Sequence, residues 1–85
     1  MSQADGKEPF VRRYFQVSRR EIAYLRFILE SYDGLAFMRT IDRQAGIVEI
    51  SAPLQRHTEA WALVAALREE TGLTEVAAPV ELPPL

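Results

Sequence analysis

The hydrophobic pattern of this 85-residue chain changes period several times, and each change marks a predicted element. Residues 10–17 are rich in β-branched and aromatic side chains, which is typical of a strand, and their alternation places Phe15 and Val17 on the core side. Apolar residues then recur with helical spacing, which predicts a helix over about residues 19–32. The predicted core stripe of this helix comprises Ile22, Leu25, Ile28, Leu29 and Tyr32.

Polar residues and a glycine define the expected ends of this helix. Ser18 and Glu21 have the spacing of a capping box, in which the serine oxygen accepts a hydrogen bond from the backbone N–H of residue 21. The Glu21 carboxylate would accept a reciprocal bond from the N–H of residue 18. Gly34 is able to take the positive φ that commonly terminates a helix, so the helix is predicted to stop before it.

The middle of the chain predicts a β-hairpin, with strands over residues 35–42 and 47–52 joined by a turn. Gly46 is expected to adopt the left-handed conformation in this turn. Alternation in the later strand directs Val48, Ile50 and Ala52 inward. The earlier strand leaves both phases open, because one side groups an arginine with apolar residues and the other side is mixed. The two sets are Leu35, Phe37, Arg39 and Ile41 against Ala36, Met38 and Thr40.

Pro53 ends the hairpin and precedes a second predicted helix, over about residues 54–71, which Gly72 closes. Residues 73–77 fit a short fourth strand, and the prolines beyond it exclude regular structure. The predicted core stripe of the second helix comprises Ala60, Leu63, Val64, Leu67 and Thr71.

The resulting order, strand-helix-strand-strand-helix-strand, is that of the ferredoxin-like fold. This is an α+β arrangement in which two helices pack on one face of an antiparallel sheet. Right-handed crossovers place the first and third strands side by side in the centre. We predict one such domain over residues 10–78, between a flexible tail (1–9) and a proline-rich C-terminal tail (79–85). The other face of the sheet is then bare or covered by another copy.

Composition and charge exclude several classes of function. The chain has no cysteine, so disulfides, a thiolate nucleophile and cysteine-based metal sites are absent. We predict neither a metal nor a cofactor. The net charge of −2 argues against general nucleic-acid binding. The polar start of the chain has no apolar segment of the signal-peptide type, and no uncharged run reaches the length of a membrane span, so a cytoplasmic protein without membrane contact is expected.

No residue pattern indicates catalysis, and the chain is predicted not to be an enzyme. The only histidine, His57, lies one turn before Trp61, where stacking on the indole is expected rather than a role as a general base. Ser31 and Ser51 lack the glycine-framed turn of a nucleophilic serine. The carboxylates of the second helix are typical of a solvated helix face.

Two arginines at the start of the first helix are the candidate anion-binding residues. Arg19 and Arg20 lie where backbone N–H groups are unpaired, and guanidinium groups beside such donors suit an anion. The alternative is that both arginines are solvated and that Glu21 offsets their charge. The small-molecule ligand, if there is one, is left open by the sequence.

The first helix also carries large apolar residues outside its core stripe. Tyr24 and Phe27 fall on a different side of the helix from Leu25 and Leu29, so one core cannot bury all four. We predict Tyr24 and Phe27 as partner-binding residues, with a homodimer as the first expectation because a small domain gains most from sharing a core. A different protein or the tail over residues 76–85 are the alternatives.

A second class of function rests on the sheet. Single-stranded RNA is commonly bound on an open sheet face by stacking of bases on aromatic side chains. Arg12, Arg13 and Tyr14 on the first strand, with Phe37 on the second, supply some of the required residue types. The glycine-aromatic central-strand motif of such proteins is missing, so nucleic-acid binding is the alternative rather than the main prediction.

One stretch resembles a family of small, uncharacterised bacterial proteins, a domain of unknown function. It runs from Tyr14 to Ala36 with the sequence YFQVSRREIAYLRFILESYDGLA, and the resemblance extends over roughly residues 12–70. The family implies no activity. In element order the chain is also similar to ACT-type regulatory domains, which dimerise and bind amino acids at the interface, but residues 17–20 lack the glycine of their first turn. The predicted function is a non-catalytic binding or regulatory module that acts as a homodimer or docks on a partner protein.

Overall fold

A computed structural model describes residues 9–79, so the tail over residues 1–9 and the tail over residues 79–85 lie almost wholly outside the described residues. The fold consists of four strands and two helices, and a 3-10 turn precedes each helix. The elements are β1 (Phe10–Gln16), α1 (Ile22–Glu30), β2 (Phe37–Asp42), β3 (Ile47–Pro53), α2 (His57–Thr71) and β4 (Thr74–Val76), with the 3-10 turns at Arg19–Glu21 and Leu54–Arg56.

The strands form one antiparallel sheet in the order β2-β3-β1-β4. β1 and β3 occupy its centre, and both helices contribute to a single core on one face. The predicted α+β, ferredoxin-like architecture is therefore confirmed. We call the face of the sheet that the helices leave uncovered the open face.

The core contains nearly all the residues that the pattern assigned to it. Leu25 and Leu29 of α1 are completely buried, as are Val48, Ile50 and Ala52 of β3. The remaining core residues include Phe15, Val17, Ile22, Ala60, Val64 and Leu67, with Ile28 and Leu63 partly buried beside them.

Within β2 the side of Met38 and Thr40 faces the core, since Met38 packs against it and Phe37 is 49% exposed. Leu35 and Ala36, which the two phases placed on opposite sides, both precede the strand and are both buried. Arg39 pairs with Glu49 across the sheet and therefore belongs to the open face. The register of β2 and β3 shifts between Thr40 and Asp42, so Ile41, which lies between them, does not follow the simple alternation of the strand.

The capping box is wrong. Ser18 makes no side-chain hydrogen bond to the helix; instead the backbone N–H of Glu21 donates to the Ser18 carbonyl oxygen at 2.8 Å, which closes a 3-10 turn. The α-helix starts only at Ile22, so neither residue occupies the position that a capping box requires. The cap therefore contributes no side-chain hydrogen bond at this end.

The C-terminal end of α1 also differs from the prediction. The helix ends at Glu30 and Ser31 is its C-cap, so Tyr32 leaves the helical phase and is 46% exposed rather than in the core. Gly34 has the expected positive φ of 69°, but it lies in the following turn, where the Leu35 N–H donates to the Tyr32 carbonyl at 3.2 Å. Gly72, in contrast, closes α2 as predicted, with a φ of 73°.

Candidate functional site

The centre of the open face holds a row of three polar residues, one from each of three neighbouring strands. Arg39, Glu49 and Tyr14 are direct cross-strand partners in the register of β2, β3 and β1. The Tyr14 hydroxyl donates to Glu49 Oε2 at 2.8 Å, and Arg39 Nη2 donates to the same oxygen at 3.3 Å. Glu49 is only 6% exposed and Tyr14 only 9%, so the carboxylate is buried but paired.

Burial and hydrogen bonding keep the Tyr14 hydroxyl of this row protonated. Burial raises the pKa of Tyr14, and its hydrogen bond to the Glu49 carboxylate raises it further. Tyr14 is therefore a fixed hydrogen-bond donor. Alternation placed Glu49 on the outward side, which is correct, but it gave no sign of the burial. Only the register of three strands brings Arg39 and Tyr14 to the two sides of Glu49.

One end of the open face is apolar. The rings of Phe10 and Phe37 meet edge to face with centroids 5.8 Å apart, and Phe10 lies opposite Pro53 in the register of β1 and β3. Phe37 is 49% exposed, and Phe10 and Pro53 are half-buried. We call Phe10, Phe37 and Pro53 the apolar end.

The two residues predicted as partner-binding on α1 have different surroundings. Tyr24 is 41% exposed, and its hydroxyl donates to a carboxylate oxygen of Glu70 on α2, which raises the pKa of Tyr24. Phe27 is 67% exposed, the largest exposure among the large apolar residues of the described part of the chain. The hydrogen bond commits Tyr24 to α2, so Phe27 is the more accessible of the two.

The predicted anion-binding residues belong to a larger cluster. Arg19 and Arg20 line a solvent-open groove together with Arg26, Arg43 and Phe27. The lining also includes Glu30, Ile22 and Ala23. We call this the arginine groove. Its arginines come from the 3-10 turn, from α1 and from the β2–β3 turn. Arg26 lies two helical turns after Arg19, and only Arg43 joins the site through the tertiary fold.

A third cluster lies between α2 and the paired strands β1 and β4. Arg13 donates to both carboxylate oxygens of Glu75, from Nε at 2.9 Å and from Nη2 at 2.6 Å. Its guanidinium carbon lies 4.6 Å from the ring centre of Trp61, which also packs against Phe15 at 6.4 Å. The cleft beside this cluster measures about 80 Å³, well below the roughly 300–1,000 Å³ of small-molecule sites.

The Arg13–Glu75 pair predicts a small pH dependence of stability. The hydrogen bonds from Arg13 lower the pKa of Glu75, so its stabilising contribution is complete above the ordinary carboxyl pKa and is lost as the pH falls through the lower, folded-state pKa. Urea unfolding should show that Glu75→Gln is less stable than wild type by under about 1 kcal/mol at neutral pH, because both side chains are partly exposed (35% and 46%).

This difference should shrink at acidic pH, where the wild-type carboxylate is protonated. Glu69→Gln is the matched control, because Glu69 forms no ion pair within residues 9–79. A Glu75→Gln effect that is the same at neutral and acidic pH would contradict the assignment.

Within residues 9–79, no group of three or more His, Asp or Glu side chains is placed to hold a metal ion. Neither helix of this part of the chain is long and apolar enough to cross a membrane.

The element order, the sheet order and the single helical layer define a ferredoxin-like α+β domain. Residues 15–71 match the family described as domain of unknown function DUF4911, and the chain belongs to this family. No curated protein and no solved structure matches the chain significantly. The resemblance found in the sequence is thus confirmed, and the family description assigns no activity.

Proposed function

We propose that this chain is a non-catalytic binding module that pairs with a second copy of itself through the open face of its sheet. The observation that carries the proposal is the apolar end, where the 49% exposed ring of Phe37 meets the half-buried ring of Phe10 at 5.8 Å. Adjacent aromatic side chains that stay partly exposed on a small domain are typical of an interaction surface. A bacterial origin and a regulatory role, which the two resemblances suggest, and a cytoplasmic setting, which the sequence suggests, are part of the same proposal.

The distribution of charge favours the sheet, rather than α1, as the surface through which two copies pair. In a two-fold symmetric dimer each patch faces its own copy. Pairing around Phe27 would bring the arginine groove against a second arginine groove, which like-charge repulsion opposes. On the open face Glu49 offsets the charge of Arg39, and the apolar end is uncharged. Arg12 of β1 also lies on this face, so a symmetric pair there meets less like-charge repulsion than a pair at the arginine groove.

The alternative, binding of single-stranded nucleic acid on the same face, has weaker support. Tyr14, the aromatic residue best placed on a central strand, is 9% exposed and its hydroxyl is bonded to Glu49, so its ring offers little surface for stacking. Phe37 lies on the edge strand β2.

Sedimentation of the wild type at micromolar concentration tests the proposal, beside Phe37→Glu and the matched control Phe27→Glu. We expect a wild-type dimer, a monomeric Phe37→Glu variant with an unchanged circular dichroism spectrum, and a Phe27→Glu variant that remains a dimer. Phe37→Ala, which adds no charge, should weaken the dimer to a smaller extent.

Two results would overturn the proposal. A monomeric wild type would remove the homodimer, and dissociation by Phe27→Glu but not by Phe37→Glu would move the interface to α1. Stronger binding of single-stranded RNA by the wild type than by Phe37→Glu would favour the nucleic-acid alternative instead.

A further inference from the structure

The arginine groove concentrates unpaired positive charge on an otherwise acidic protein. Arg13, Arg39 and Arg56 each form an ion pair with a carboxylate. Within residues 9–79, no carboxylate pairs with any of the four arginines of the groove, which are Arg19, Arg20, Arg26 and Arg43. Glu30 is the one acidic residue among the residues that line the groove. The net charge of the whole chain is −2, so this concentration runs against the average composition.

Two of these guanidinium groups are held in place by neutral partners. Arg19 Nη1 donates to Gln44 Oε1 at 3.2 Å. Arg26 Nη2 donates to Thr40 Oγ1 at 3.0 Å, and its Nη1 donates to the Met38 carbonyl at 3.4 Å. Neutral partners position a guanidinium without neutralising it, and pre-positioned side chains lose less entropy when a ligand binds.

Gathering like charges in this way destabilises a fold unless an anion neutralises them. Guanidinium groups bind phosphate through paired N–H donors, which makes arginine the preferred residue for phosphate recognition. Four guanidiniums line one groove, three from residues 19–26 and one from the β2–β3 turn, and together they offer more N–H donors than one phosphate group needs. The chemistry of the groove therefore suits a ligand with several linked phosphates.

Phe27 adds a second kind of contact. Its side chain is 67% exposed and lines the same groove as the arginines. An exposed aromatic ring beside a phosphate site gives a planar base a surface on which to stack. We propose that the arginine groove binds a nucleoside polyphosphate, with the arginines contacting the phosphates and Phe27 contacting the base.

A competition titration tests this site directly. The probe is a fluorescent derivative of adenosine triphosphate, and unlabelled adenosine triphosphate, inorganic triphosphate and adenosine are the competitors. We expect adenosine triphosphate to displace the probe best, inorganic triphosphate to displace it more weakly, and adenosine to be ineffective. Arg20→Ala and Arg43→Ala should each raise Kd about tenfold, which corresponds to roughly 1.4 kcal/mol.

Further variants separate the base from the phosphates. Phe27→Ala should weaken the binding of adenosine triphosphate about fivefold or more, as expected for loss of stacking, and leave the binding of inorganic triphosphate unchanged. Arg68→Ala is the matched control, because Arg68 is an exposed arginine on α2 that does not line the groove. It should bind like the wild type.

Several outcomes would overturn the proposal. If adenosine triphosphate did not displace the probe, or if Arg68→Ala weakened binding as much as Arg20→Ala, the groove would not be the binding site. Equal affinity for inorganic triphosphate and adenosine triphosphate would rule out the base contact. Tighter binding of single-stranded RNA than of adenosine triphosphate would make a nucleic acid the ligand instead. These results are independent of the proposed dimer, because no residue of the apolar end lines the arginine groove.

Discussion

Truncation of Leu25 to alanine is expected to lower the free energy of unfolding by about 2–5 kcal/mol. Leu25 is 0% exposed and belongs to the core cluster that joins both helices to the sheet. The change removes buried apolar volume and leaves a cavity, since neighbouring side chains relax only in part. Urea unfolding followed by circular dichroism measures the loss.

Phe27→Ala is the matched control on the same helix. Phe27 has the larger side chain but is 67% exposed, so its truncation should change the free energy of unfolding by under about 0.5 kcal/mol in the monomer. Comparable losses from the two truncations would mean that the face of α1 has been assigned incorrectly.

Replacement of Gly46 by alanine is expected to cost at least about 2–3 kcal/mol. Gly46 has a φ of 74°, a conformation that alanine adopts only with strain. A Cβ at this position would also lie 2.0 Å from the Val17 carbonyl oxygen. The Val17 N–H donates to the Gly46 carbonyl at 2.8 Å, so moving the backbone segments at Val17 and Gly46 apart would weaken that hydrogen bond as well.

Gly72→Ala separates the backbone strain from the close contact. Gly72 has nearly the same φ, 73°, but no atom lies within 4 Å of a Cβ placed there. We expect Gly72→Ala to cost about 1–2 kcal/mol and Gly46→Ala clearly more, both in urea unfolding. Equal losses of unfolding free energy from the two substitutions would show that the backbone at Gly46 moves away from Val17 without penalty.

The sequence pattern predicted the architecture because several elements carry an unambiguous period. Alternation in β3 and the helical spacing in α2 each allowed one inward face, and Gly72 marked the end of α2. β2 was ambiguous because Arg39 shares a side with apolar residues. What places Arg39 on the open face is Glu49, its cross-strand partner, and pairing across strands depends on a register that local pattern does not contain.

The ends of α1 were predicted less well for a local reason. Ser18 and Glu21 satisfy the spacing of a capping box, but the same four residues also suit a 3-10 turn, and the backbone bond from Glu21 to Ser18 forms that turn. Because both arrangements satisfy the first backbone donors, the sequence alone does not decide between them.

The candidate sites were predicted only in part. The sequence indicated Arg19 and Arg20 because they are adjacent at a helix start. Arg26 follows Arg19 by seven residues, two helical turns, so the predicted helix already placed the two near each other. Arg43 is distant in the chain and joins the groove through the packing of α1 beside the β2–β3 turn. The apolar end likewise depends on the sheet register, which brings Phe10 and Phe37 within 5.8 Å.

The most direct test of the proposed function is a dilution series of the isotope-labelled wild-type protein followed by backbone amide NMR. If the open face pairs with a second copy, the amide shifts that change on dilution should map to β1, β2 and β3 around Phe37 and Arg39, while those of α1 and α2 stay constant. Two results would contradict the proposal. One is a protein that sediments as a monomer and whose amide shifts do not change with concentration. The other is a set of concentration-dependent shift changes confined to α1 around Phe27.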